Sequence, residues 1–211
     1  MYNNSIIVRD LGLQHWKIVS DLMQAFTTIR TVETLDELWC VEHYPIFTLG
    51  SLGTRKDIIK PVKIPIMHTN RGGKITYHGP GQQIIYLLLD LKRRNISVRN
   101  IISLIENSVV DTLNYFFIKS HIMHEYPGVF VKNKKICSFG LRIKKGCSLH
   151  GFSLNVCMDM RPFSYIYPCG NKKINMTQIY DFKKNINCTT IKLVLIKKIV
   201  NFLKISSIFY K

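Results

Sequence analysis

The chain has 211 residues, 46% of them hydrophobic and 20% charged, enough apolar material for one sizeable core and too much for wholesale disorder. Its 30 Lys+Arg against 13 Asp+Glu give a net charge of +17, which points to an anionic partner: nucleic acid, an anionic membrane or an acidic protein. A single alanine, Ala25, amid abundant Ile, Lys, Asn, Tyr and Phe matches A/T-rich coding, so genome composition accounts for the charge as readily as selection does.

In chain order, Arg9 and Asp10 interrupt the first apolar stretch before it reaches the length of a secretion signal. Trp16, Val19, Met23 and Phe26 predict a helix over 15–29. Strands are predicted over 37–42 and 82–91; the longest clean apolar run, 84–89, is far short of the about 20 residues that cross a bilayer. Ser97 suits an N-cap for a helix through 117, striped by Ile101, Ile105, Val109, Leu113 and Phe116. Strands over 128–132, 135–144 and 148–157 read as a meander, with turns at Asn133–Lys134 and Lys145–Gly146. A third helix, 190–204, is carried by Ile191, Leu195, Ile199 and Phe202. The fold class expected is therefore α/β (α+β): one domain over 1–211, with a mixed, largely antiparallel sheet and packed helices. The six cysteines form no CxxC pair and, without an export signal, are expected as reduced thiols in the cytoplasm. His121 and His124 have a metal-like interval but no third ligand nearby, and no metal site is assigned.

Three segments are unlike scaffold. The first, RGGKITYHGPGQQ over 71–83, sets four glycines, Arg71 and His78 before an apolar strand. Such a loop can bring backbone amides close to a phosphate or carbonyl, or can be a tight surface turn. It lacks the Walker and Rossmann glycine spacings. The second is 134–156, where alternation sets Lys135, Cys137, Phe139, Leu141 and Ile143 on one face. Lys135 there is either a partly desolvated ammonium able to move protons, or a side chain reaching solvent like Lys132 and Lys134. The third, IYPCGN over 166–171, holds Cys169 on a turn, where a thiol is either exposed for attack or simply small and buried. Spacing alone does not choose a nucleophile among six cysteines.

Together and in this order, RGGKITYHGPGQ, KICSFGLRIKKGCSLHGFSLNV and PCG resemble the signature loop, central hairpin and catalytic turn of the lipoyl(octanoyl) transferase family. The likeness extends to LGLQ, LDELWCVEHYPIFTLG, LLLDLKRR and EYPGVFV, and weakens after Tyr180. It implies the catalytic fold of biotin and lipoate protein ligases, over about residues 32–207. It implies transfer of an octanoyl group from octanoyl-acyl carrier protein to a lysine of lipoyl domains, those of 2-oxoacid dehydrogenases and of the glycine-cleavage H-type protein. No cofactor, metal, nucleic acid or membrane is implied.

By this resemblance Cys169 corresponds to the nucleophile that becomes an acyl thioester. Lys135 corresponds to the lysine that favours its thiolate and serves as acid and base. The substrate-binding segments correspond to Arg71, Gly72, Gly73, Lys74, Ile75, Thr76, Tyr77 and His78, to Ser138, Phe139 and Gly140, and to Gly151, Phe152 and Ser153. Phe139, Phe152 and Ser153 depart from the usual aliphatic, leucine and alanine, which leaves the C8 preference less fixed than the reaction. Two rivals stand beside this reading. An ATP-dependent ligase of the same fold would have no use for a Cys169–Lys135 pair, and a nucleic-acid-binding module rests on the charge alone.

Overall fold

The computed structural model describes residues 4–61, 63–123 and 125–211. His124, one half of the metal-like interval, lies outside them. Strand β1 (Ser5–Gln14) leads into helix α1 (Trp16–Ile29), and β2 (Asp36–His43), β3 (Ile46–Leu49), β4 (Ile66–His68), β5 (Ile75–His78) and β6 (Gln82–Leu88) follow. Helix α2 (Val98–Tyr115) precedes β7 (His121–Ile122), β8 (Val129–Val131), β9 (Lys134–Lys144) and β10 (Cys147–Asn155). The chain ends with β11 (Asn175–Met176), α3 (Cys188–Phe202) and β12 (Ser207–Tyr210).

The main sheet runs β12-β1-β2-β6-β10-β9-β8-β7, with β11 beside β9. It is antiparallel from β2 to β7, while β12, β1 and β2 run parallel to one another. A smaller sheet, β4-β3-β5, stands apart. The period of two along β6 explains the layering. Ile85 and Leu87 enter the main core with α2 and α3, whereas Ile84, Tyr86 and Leu88 pack under α1 with Val19 and Met23. Each such aliphatic burial contributes roughly 1.5–3 kcal/mol.

Helix and strand ends differ from the sequence expectations for local reasons. Ser97 caps α2 as expected, its hydroxyl accepting from the Asn100 amide at 3.1 Å. Helix α3 starts two residues early because the Asn187 side chain accepts from the Thr190 amide. Strand β6 stops at Leu88 because Asp90 turns the chain, its carboxylate accepting from the Arg93 amide. Strand β10 stops at Asn155 because the Val156 and Cys157 amides both donate to the Gly81 carbonyl. Strands β1 and β12 and the three short strands of the small sheet were not expected. Arg9, Asp10 and a register shift near Gly12 break the alternation of β1, and the others are four residues or fewer.

The meander is present, with two corrections. Its first turn falls at Lys132–Asn133, one residue earlier than expected, with Lys132 in the left-handed region. The second is at Lys145–Gly146, where both residues have positive φ, as a tight hairpin demands. More consequential is a register shift where Val129 faces Cys137 and Phe130 faces Lys135, which leaves Ile136 as an extra residue. Ile136 and Cys137 therefore both enter the main core, and Lys135 and Ser138 both point the other way. Lys135 does not share the face of Cys137, Phe139, Leu141 and Ile143. One inserted residue reverses its direction.

Candidate active site

Lys135 is 2% exposed, so it does not reach solvent as Lys132 and Lys134 do. Its ammonium donates to the Pro127 carbonyl at 2.6 Å and to Cys169 Sγ at 3.1 Å, and lies 5.9 Å from the centroid of the Phe130 ring. Gly128 makes the room. Its φ is +148°, and a Cβ there would fall 2.3 Å from Lys135 Cε and 2.5 Å from the Cys137 carbonyl oxygen.

Cys169 sits in the short turn Pro168–Gly170 with φ 56° and ψ 18°, a left-handed conformation that costs a non-glycine residue stability and clusters at functional sites. Three hydrogen bonds fix the turn. The Tyr167 amide donates to Asp57, that of Gly170 to Tyr167 at 2.7 Å, and that of Asn171 to Pro168. Gly170 has φ +68°, a left-handed conformation that favours glycine, and the Lys74 side chain packs over it. Of the six cysteines, Cys169 is the one lining the cavity described next. Burial pushes the thiols of the other five up, that of Cys40 to about 12, which leaves them poor nucleophiles.

Cys169 and Lys135 open onto a cavity of ≈ 620 Å³ between the α1 face of the main sheet and the small sheet, within the range of ligand sites. The three segments singled out in the sequence converge on it: Arg71, Gly73–Thr76 and His78 from the loop and β5, Ser138–Gly140 from β9, and Gly151–Ser153 from β10. Gly72 and Tyr77 stand outside the wall. The Gly72 amide donates to the Leu141 carbonyl, and the Tyr77 ring packs with Phe47 and Phe163 in the core of the small sheet. Phe139 and Phe152 border the cavity, but they face each other across β9 and β10 and their rings pack into the main core.

The Arg71 guanidinium is spent on the loop itself. It donates to the carbonyls of Thr48, Gly72 and Lys74 and to the Thr48 hydroxyl, so it staples the glycine loop to β3. Burial lowers it to about 10, against which the Cys169 charge raises it. The Thr48 hydroxyl, already accepting from Arg71, donates its own proton to His78 Nε2, and His78 Nδ1–H donates to Gln82 Oε1 at 2.7 Å. That network leaves His78 neutral. Burial lowers it to about 3, and the neighbouring His43, Arg71 and His150 act in the same direction.

Sequence reasoning missed the far wall, formed by Trp16, Tyr86 and His150. Tyr86 donates at 2.8 Å to His43 Nε2, whose Nδ1–H donates to the Gln14 carbonyl. His150 has φ 59° in mid-strand, which turns it onto the cavity side, where Nε2–H donates to Asn70 Oδ1. Desolvation lowers His43 and His150 to about 4, with Arg71 and Arg142 adding to the effect on His150. Tyr86 and His150 are hydrogen-bonded and uncharged, which makes this wall a surface suited to an apolar chain. Its position next to Gly151 was the available signal for His150; nothing in the sequence marked Trp16 as more than a core residue.

The chain matches the lipoyl protein ligase A/B catalytic domain family over residues 16–200. It is 51% identical over 214 residues to an octanoyltransferase of Buchnera aphidicola subsp. Schizaphis graminum, covering 99% of this chain and 97% of that one. To an octanoyltransferase of Klebsiella pneumoniae subsp. pneumoniae it is 51% identical over 179 residues, 85% and 84% of the two chains. Among solved structures, the bipartite lipoate protein ligase of Thermoplasma acidophilum superposes with a TM-score of 0.77 at 14% identity, over 98% of this chain and 86% of that one. That last likeness is one of fold.

Proposed function

The chain belongs to the lipoyl protein ligase A/B catalytic domain family and acts as an octanoyltransferase in protein lipoylation, and from this premise we propose that transfer runs through a thioester on Cys169, with Lys135 moving the protons. The observation that carries the proposal is the 3.1 Å hydrogen bond from the Lys135 ammonium to Cys169 Sγ on the wall of the cavity. The donor is octanoyl-acyl carrier protein and the acceptor a lysine of a lipoyl domain. The 2-oxoacid dehydrogenases and the H-type protein of glycine cleavage carry such domains.

In the first half-reaction the Cys169 thiolate attacks the thioester carbonyl. A new S–C bond forms, the donor's C–S bond breaks, and Lys135 gives its proton to the departing thiolate. One thioester replaces another, so no nucleotide is consumed. In the second, the acceptor ammonium loses one proton to water and its amine attacks the acyl-cysteine. The neutral Lys135 amine takes the remaining proton as the tetrahedral intermediate collapses to an amide. Cys169 leaves as thiolate and the pair is restored. The apolar chain lies toward Ile84, Tyr86 and Trp16, where the wall is uncharged.

Intact mass after mixing with octanoyl-carrier protein, without ATP, tests this. One octanoyl group, labile to hydroxylamine, is expected on the unaltered enzyme and on Cys137→Ser, and none on Cys169→Ser. An octanoyl mass on a peptide containing Cys137, or an amide product that forms only when nucleotide is added, refutes it.

A further inference from the structure

A second cavity of ≈ 700 Å³ opens on the other side of β8. Phe116, Phe117, Ile118 and Phe182 make it apolar, and Lys119, Lys132 and Lys183 rim it. Phe117 ends α2 in the left-handed region and is 91% exposed, an unusual cost for so large an apolar ring, and the Lys183 ammonium lies 5.4 Å above it. Inside, the buried Ser120 hydroxyl has no hydrogen-bond partner among the described residues. Such a surface is shaped for something that brings apolar groups, negative charge and an acceptor together.

The groove neighbours the active-site mouth across β8 and the start of β9. Lys172 and Lys173 border the first cavity. Just beyond them β11 pairs with the start of β9, Asn175 with Lys134 and Met176 with Lys135. Lys134 follows the Lys132–Asn133 turn that borders the groove. Phe130 stands between the two sites, 5.9 Å from the Lys135 ammonium and 6.2 Å from the His121 ring centroid. Six exposed lysines (119, 132, 134, 172, 173 and 183) thus follow one path, and among the described residues the lysines that form ion pairs are Lys17, Lys192 and Lys198. Two carboxylates lie near this path, Asp181, which accepts from the Thr177 hydroxyl, and the exposed Glu125 beside Lys172 and Lys173 at the first cavity.

We propose that this groove docks the body of the acidic carrier domain that delivers the octanoyl thioester, an apolar side chain seated among Phe116, Phe117 and Phe182 and acidic residues over the lysines. The inference rests on the carrier-borne donor proposed above. Its place in the fold decides between the two acidic partners. An acceptor presents its amine on one lysine side chain and must sit directly on the mouth. A donor presents its thioester on a long flexible prosthetic arm, and its body can rest one side-chain layer away, beyond Phe130. Charge complementarity of this kind acts chiefly on encounter.

The test compares octanoyl-carrier protein with a donor that has no protein body, octanoyl-N-acetylcysteamine. Lys132→Glu/Lys183→Glu and, separately, Phe117→Ser are expected to raise KM for the carrier-borne donor about tenfold. The rate of acylation by the small thioester and the KM for the lipoyl domain stay unchanged. A carrier KM that does not move, equal losses with both donors, or a loss confined to the lipoyl-domain step each overturns the assignment. Failure of the unaltered enzyme to accept octanoyl from the small thioester is a different result, and refutes the transfer chemistry itself.

Discussion

Lowering the pH from 7 to 5 is expected to destabilise the fold by several kcal/mol, through His43, His78 and His150. In the folded chain the first and last are lowered to about 4 and His78 to about 3, against 6.5 for the free side chain. Below pH 6.5 the unfolded chain takes up protons that the folded chain refuses, so the stability these rings contribute is present above that pH and lost as pH falls toward 4. At pH 5 each ring costs about 2 kcal/mol, and the three together about 6 kcal/mol. That is comparable with the whole stability of many domains, roughly 5–15 kcal/mol. Urea unfolding at pH 7 and pH 5 measures the loss. The chain's +17 charge also favours unfolding in acid, but that repulsion is screened at about 1 M salt, where the Debye length is about 3 Å. Desolvation of buried rings is not screened. Stability equal within about 1 kcal/mol at the two pH values, or a loss that vanishes at high salt, refutes the reasoning.

Gly128→Ala is expected to cost about 1–3 kcal/mol of stability through strain at φ +148°. It also displaces the Lys135 ammonium, slowing acyl-enzyme formation about 10–100-fold, the equivalent of one charge-assisted hydrogen bond; a rate of wild-type size measured by stopped mass spectrometry contradicts this. Asp36→Asn removes the buried carboxylate that accepts from Arg30 at 2.6 Å, Arg93 at 2.7 Å and Arg94. A loss of about 3–5 kcal/mol in denaturant unfolding is expected, and one below about 1 kcal/mol would show the cluster to be solvated.

Where a pattern spans several turns or a long strand, the sequence was readable: the stripe from Ile101 to Leu113 and the continuous apolar run of β6 marked helix and strand to within a few residues. The site segments were legible for a related reason, since the glycine loop, the β9–β10 hairpin and the Cys169 turn are each long enough to be distinctive and they meet at one cavity. What escaped is set by single residues. The extra residue at Ile136 reverses Lys135, and a left-handed φ redirects His150, yet neither leaves a trace in hydrophobic periodicity. The apolar face left Lys135 open between burial and solvent, and it set the side chain on the wrong side of the strand. It is Gly128 and the Pro127 carbonyl, not the row of Cys137 and Phe139, that hold the ammonium against Cys169.

The +17 charge is not one property. Arg30, Arg93 and Arg94 are spent on Asp36 and lock the end of α1 and the turn after β6 to the start of β2. Arg71 is spent on loop carbonyls, and Lys135 on Pro127 and Cys169. Helix α3 ties Lys192 to Asp10 and Lys198 to Asp111, though such surface pairs are worth at most about 1 kcal/mol each. Most of the remaining lysines are spread over the surface, but a subset, Lys172 and Lys173 at the mouth, then Lys134, Lys132 and Lys183, runs without a carboxylate partner among the described residues to an exposed phenylalanine. Coding bias would account for the number of lysines, whereas the alignment of six of them along one path, next to apolar surface that water alone would not favour, is what a docking surface requires.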